Sequence, residues 1–114
     1  MNPSPKDFVT QWKASLQKLR TDAPDVTRAF GALHVTLMKE GTLTAREKEL
    51  IAMAVGMAKG CTECIYLHIE GAVKAGATRD QVIEAAGVAV LMAGGPAFVH
   101  MPSVVEALDH LKPV

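Results

Sequence analysis

Apolar residues recur along nearly the whole chain at the three- and four-residue spacing of a helix. Nowhere do they alternate singly, as a half-buried strand requires. Phe8, Trp12, Leu16 and Leu19 form a first stripe, on a helix opened by Ser4 as N-cap and Pro5 at its first position. Val26, Phe30, Leu33 and Leu37 form a second, on a helix expected from Pro24 to Gly41, where the glycine reads as a left-handed stop. Thr44-Ala45-Arg46-Glu47 is a capping box, and the helix behind it, ending at Gly60, is apolar almost all round after Glu49. Cys61 to Ala75 reads as the next helix, closed by Gly76. A second box, Thr78-Arg79-Asp80-Gln81, leads into another nearly all-apolar helix that runs to Ala93. Gly94-Gly95-Pro96 breaks the chain, and a last segment reaches Leu111 with Pro102 expected to kink or divide it.

This grammar predicts an all-α fold of about six helices in one domain spanning residues 1–114, with an N-terminal arm (4–20) set off near Thr21–Pro24. Trp12 and Tyr66 read as core or interface anchors, and Met53, Met57 and Met92 match core spacing. A small bundle cannot cover two helices without a polar face, and uncovered apolar area of that size marks a subunit interface. A homo-oligomer is therefore expected.

Composition narrows the function. Of 114 residues 49% are apolar, which excludes disorder. Twelve Lys and Arg balance twelve Asp and Glu, so no electrostatic footprint for nucleic acid or an anionic membrane is present. The longest uncharged stretch, Ala85 to Val99, is 15 residues and broken by Gly94-Gly95-Pro96, too short to span a bilayer. The opening Met-Asn-Pro-Ser-Pro-Lys-Asp has no basic and apolar leader pattern. Two cysteines three apart make no disulfide framework, and a cytoplasmic protein is expected.

Those cysteines carry the chemistry. At about 100° per residue, Cys61, Cys64 and His68 fall within about 60° of one another, and Cys64 and His68 are one turn apart, close enough to share a proton. The first turn of a helix favours a thiolate. Three readings compete: two small buried hydrophobes with a packing histidine, a metal site, or a redox-active dithiol. A structural zinc lacks its fourth ligand here, because no second Cys/His pair exists. A dithiol needs only the pair, although a thioredoxin setting would demand strands. Acids in a first helical turn are common; Glu49 differs because the helix beyond it is apolar and an inward carboxylate can serve as a base.

Glu49, Cys61, Cys64 and His68 in this spacing resemble the Glu-x11-Cys-x2-Cys-x3-His signature of alkyl hydroperoxide reductase D (AhpD)-like proteins, within the carboxymuconolactone decarboxylase superfamily. The flanking Leu43–Ile51, Ala75–Thr78 and Ala93–Ala97 agree, and the resemblance covers roughly residues 43–108. It implies an all-helical protein assembling as trimers or hexamers, with hydroperoxidase and disulfide-reductase activity and no bound cofactor. It further implies that Cys64 attacks a hydroperoxide, Cys61 resolves, Glu49 and His68 relay the proton, and a lipoyl or thioredoxin-like dithiol protein restores the thiols. Alternatives are a carboxymuconolactone decarboxylase-type lactone enzyme, whose branch generally lacks the paired cysteines, and a non-enzymatic metal-binding or structural module.

One departure stands out. Well-known members carry histidine before the second cysteine, and this chain has Glu63, whose charge would disfavour a neighbouring thiolate if it points inward. Among the remaining histidines, His34 reads as a helix-edge residue outside the site, His100 as a packing or interface residue near the Gly-Gly-Pro break, and His110 as part of a frayed tail. Arg79 and Glu84 read as solvated or intersubunit charges.

Overall fold

The computed structural model describes residues 4–114. Met1 to Pro3, on which the absence of a leader pattern partly rests, lie outside them. Helices α1 (Pro5–Asp22), α2 (Pro24–Met38), α3 (Ala45–Ala58), α4 (Thr62–Lys74), α5 (Arg79–Ala93) and α7 (Met101–Leu111) are joined by short turns, with a single helical turn, α6 (Gly95–Phe98), before the last. No strand occurs among the described residues. The fold is all α, with six long helices, as the periodicity predicts.

The starts are set by side chains at the expected positions. Ser4 Oγ accepts the Asp7 N–H at 3.2 Å. Thr44 and Glu47, and Thr78 and Gln81, close both capping boxes reciprocally, with Thr44 N–H donating to Glu47 Oε1 at 2.8 Å and Thr78 N–H to Gln81 Oε1 at 3.0 Å. Gly60, Gly76 and Gly94 take the positive φ that an L side chain resists.

Two expected boundaries differ. α2 stops at Met38, and Gly41 has no positive φ. The reason is Lys48 of α3, whose Nζ donates to the carbonyls of Leu37 (2.8 Å) and Lys39 (2.6 Å) and satisfies the helix end from outside. Pro102 does not divide the last segment. It lies in the first turn of α7, where its missing N–H costs nothing, and the break falls at Val99–His100 instead.

α3 and α4 form the centre, with α5 on α3 and α7 on α4. Met53 and Met57 of α3, Ile65 and Ile69 of α4, Val82 of α5, and Val104 and Leu108 of α7 are buried between them. Methionine's unbranched chain suits such gaps between crossing helices. Helix α1 is no detached arm: it packs on α4 and α7, with Phe8 against Tyr66 at 5.9 Å between ring centroids. Its outer residues are less covered, Trp12 being 37% exposed. α2 buries no residue at all within the chain: Val26, Phe30, Leu33 and Leu37 lie open, Phe30 66% exposed. On α5, Val88, Leu91 and Met92 are likewise uncovered. No described helix is long and apolar enough to cross a membrane.

Candidate active site

The site is built at the α3–α4 junction. The chain leaves α3 through Gly60, whose φ of 69° reverses it, and the Cys61 N–H then donates to Gly56 O at 2.9 Å. That bond stands Cys61 at the N-cap of α4 with extended backbone, and its sulfur accepts the Cys64 N–H at 3.2 Å. Cys61 and Cys64 are joined by a disulfide with their Cα atoms 5.3 Å apart. Because Cys61 sits outside the helix proper, only Cys64 and His68 share a helical face.

Gly56 lets the two helices meet at that point. A β-carbon on it would stand 2.9 Å from Cys64 Cβ, closer than side-chain carbons approach one another. The glycine therefore sets how near Cys64 comes to α3.

One turn after Cys64, His68 Nδ1 lies 2.9 Å from Glu49 Oε2 of α3. Their side chains are only 23% and 15% exposed. An ionised carboxylate only accepts, so Nδ1–H donates, and in the neutral ring Nε2 is left to take a proton. The Glu49 carboxylate occupies space that Gly71 leaves empty: a β-carbon at Gly71 would stand 2.5 Å from Cδ, 2.9 Å from Oε1 and closer still to Oε2. Glu49 thus reaches His68 by lying across the backbone of α4.

The structure joins Cys61 to Cys64 and Glu49 to His68, with Cys64 and His68 one turn apart on α4. It also adds one that the sequence reading set aside. His34 of α2 is not a helix-edge residue apart from the site: its ring stacks on His68, centroids 6.5 Å apart and planes inclined 20°. Its place between Phe30 and Leu37 in the apolar stripe was the available signal. Gly71 went unnoticed too, although glycine inside a helix costs about 1 kcal/mol relative to alanine and so asks for a reason.

His100 packs where the chain enters α4: its Nδ1–H donates to Pro96 O at 2.8 Å, and its ring lies over Gly60, the residue before Cys61. Arg79 pairs with Asp109 within the chain at 2.9 Å, at the solvated surface. Glu63 is exposed, with Oε2 3.9 Å from Cys61 Sγ. Among the described residues no three His, Cys, Asp or Glu side chains gather as a metal-binding group.

The carboxymuconolactone decarboxylase family model matches residues 24–107, which takes in the whole site. The chain belongs to the carboxymuconolactone decarboxylase family. It is 36% identical over 98 residues to uncharacterised protein 4 of the cox locus of Paracoccus denitrificans, covering 86% of this chain and 88% of that one. A carboxymuconolactone decarboxylase family protein from Legionella pneumophila superposes with a TM-score of 0.88 at 35% identity, over 93% of this chain and 95% of the other. A Thermotoga maritima member, for which a part in the antioxidative response has been suggested, shares the fold with a TM-score of 0.83 at 24% identity, over 93% and 90%.

Proposed function

We propose that this family member is a thiol-dependent peroxidase and disulfide oxidoreductase that cycles Cys61 and Cys64 between dithiol and disulfide. The observation that carries the reading is the bonded cysteine pair at the start of α4 with the Glu49–His68 pair one turn beyond it. The antioxidative role suggested for the Thermotoga maritima member points the same way. A lactone decarboxylation has no use for a disulfide, so the site favours thiol chemistry over the reaction in the family's name.

In the reduced protein His68 Nε2 draws the proton from Cys64, directly or through one water, while Glu49 holds the ring and stabilises the imidazolium. The Cys64 thiolate attacks the outer oxygen of a hydroperoxide and the O–O bond breaks. One oxygen stays as sulfenic acid, and the alcohol leaves with the proton carried by His68. The Cys61 thiol then attacks the sulfur of the sulfenic acid, water leaves and the disulfide closes. A dithiol protein of the lipoyl or thioredoxin-like kind reduces it again by exchange and is itself oxidised to a disulfide. No cofactor takes part.

Thiol counting with mass spectrometry tests this. One equivalent of hydroperoxide added to the reduced protein should remove two thiols and 2 Da. Thiols unreactive toward peroxide, or zinc bound stoichiometrically to the purified protein, would refute the reading.

A further inference from the structure

The helix start and the proton relay favour different cysteines. Cys61 is the N-cap, and its sulfur receives the Cys64 amide at 3.2 Å at the positive end of the α4 dipole. On that ground alone Cys61 would ionise first and become the nucleophile. On the peroxidase reading the Glu49–His68 pair serves Cys64 instead, one turn inside the helix.

Glu63 stands between them, and its position breaks the tie. Its carboxylate contacts the Cys61 sulfur, with Oε2 3.9 Å away. In the reduced protein that carboxylate can accept the Cys61 S–H. A Cys61 thiolate would meet a like charge at the same distance. Two unit charges about 4 Å apart repel even in bulk water by enough to shift an ionisation about fivefold. The carboxylate therefore offsets what the helix start gives Cys61.

We propose that Glu63 is the residue that divides the labour of the pair, holding Cys61 as the protonated, resolving thiol and leaving Cys64 as the attacking thiolate. Its mechanistic meaning rests on the peroxidase reading, but its test needs no peroxide. The fully reduced protein is treated with limiting iodoacetamide near pH 7. A thiolate displaces iodide from carbon, a C–S bond replaces the C–I bond, and the thiol proton passes to buffer. Fragmentation between positions 61 and 64 gives the ratio of adduct on Cys61 to adduct on Cys64.

Wild type should label mainly Cys64. Glu63→Gln should raise the Cys61:Cys64 ratio about twofold, because the neighbouring Cys64 sulfur feels part of the same repulsion, and Glu63→Lys should raise it further. High salt should move wild type toward the Gln variant, since the carboxylate is exposed and screened. Position 63 is at the surface, so circular dichroism should find all three proteins equally helical. A ratio that does not follow the charge order, or a wild type labelled mainly at Cys61, would overturn the assignment. Failure of the peroxide assay on wild type would remove the peroxidase reading and leave this partition as a separate result.

Discussion

At the scale of single residues, two missing side chains do as much for the site as the reactive ones. Gly56 admits Cys64 to the face of α3, and Gly71 leaves the space in which the Glu49 carboxylate lies against His68. An alanine at 71 should strengthen α4 as a helix, by up to about 1 kcal/mol, while forcing the carboxylate off its partner. Gly71→Ala is therefore expected to keep or raise the melting temperature and yet slow Cys64 alkylation and move its rate–pH profile upward. Glu49→Gln should do the same to reactivity, since it keeps shape and removes the charge that stabilises the His68 imidazolium. Both losses should fall at the low end of the ~10²–10⁴-fold range for a positioned base, because thiols ionise partly without help. Equal alkylation rates in the three proteins would show that Glu49 has no part in activating Cys64. Cys61→Ser should trap a sulfenate on Cys64, and Cys64→Ser should abolish attack; the reverse pattern would exchange the two roles. The Cys61–Cys64 and Glu49–His68 pairs were legible in the sequence through the spacing of the cysteines and the histidine and the resemblance of the whole signature. Gly71 and His34 were not, because each matters through a contact with another helix, which spacing along one helix does not reveal.

At the scale of elements, the sequence showed best those boundaries that a helix makes for itself. Both capping boxes, and the positive-φ glycines at 60, 76 and 94, lie where local rules put them. Gly41 failed as a stop because Lys48, eleven and nine residues from the carbonyls it receives, closes α2 from another helix. The Thr44–Glu47 box also has a pH signature. Hydrogen bonds from the Thr44 backbone and side chain, with Arg46 nearby, hold the Glu47 carboxyl below its ordinary value. The folded state then binds fewer protons than the unfolded chain in acid, so stability is complete above the unfolded pKa, near 4.5, and falls as pH drops through the lower folded value. Glu47→Gln keeps an acceptor for the Thr44 N–H but does not titrate. Its melting temperature should accordingly fall less steeply below pH 4.5 than that of wild type. Parallel curves for the two proteins would mean that the box contributes nothing through its charge.

At the scale of the whole molecule, α2 poses the largest physical question. Ordering its 15 residues costs about 1–2 kcal/mol each in backbone entropy, and an isolated helix of about that length is marginal in water. Within one chain it buries none of its residues, and Val26, Phe30, Leu33 and Leu37 face outward along one stripe. Such side chains are worth roughly 1.5–3 kcal/mol each once covered. A second copy of this chain would supply the cover most simply, since Val88, Leu91 and Met92 of α5 are open as well. Light scattering is expected to give a multiple of the monomer mass, a trimer or hexamer by the family resemblance, and Phe30→Asp should lower it toward monomer. A wild type that is monomeric at tens of micromolar would dispose of the assembly. Because His34 sits on this same helix and stacks on His68, assembly is expected to bear on the chemistry. The monomeric variant should lose helicity at α2, release His34 from the site and alkylate Cys64 more slowly. In Phe30→Asp the three changes should appear together along a dilution series. Dissociation that leaves Cys64 reactivity untouched would show that His34 only covers His68 and that α2 serves the interface alone.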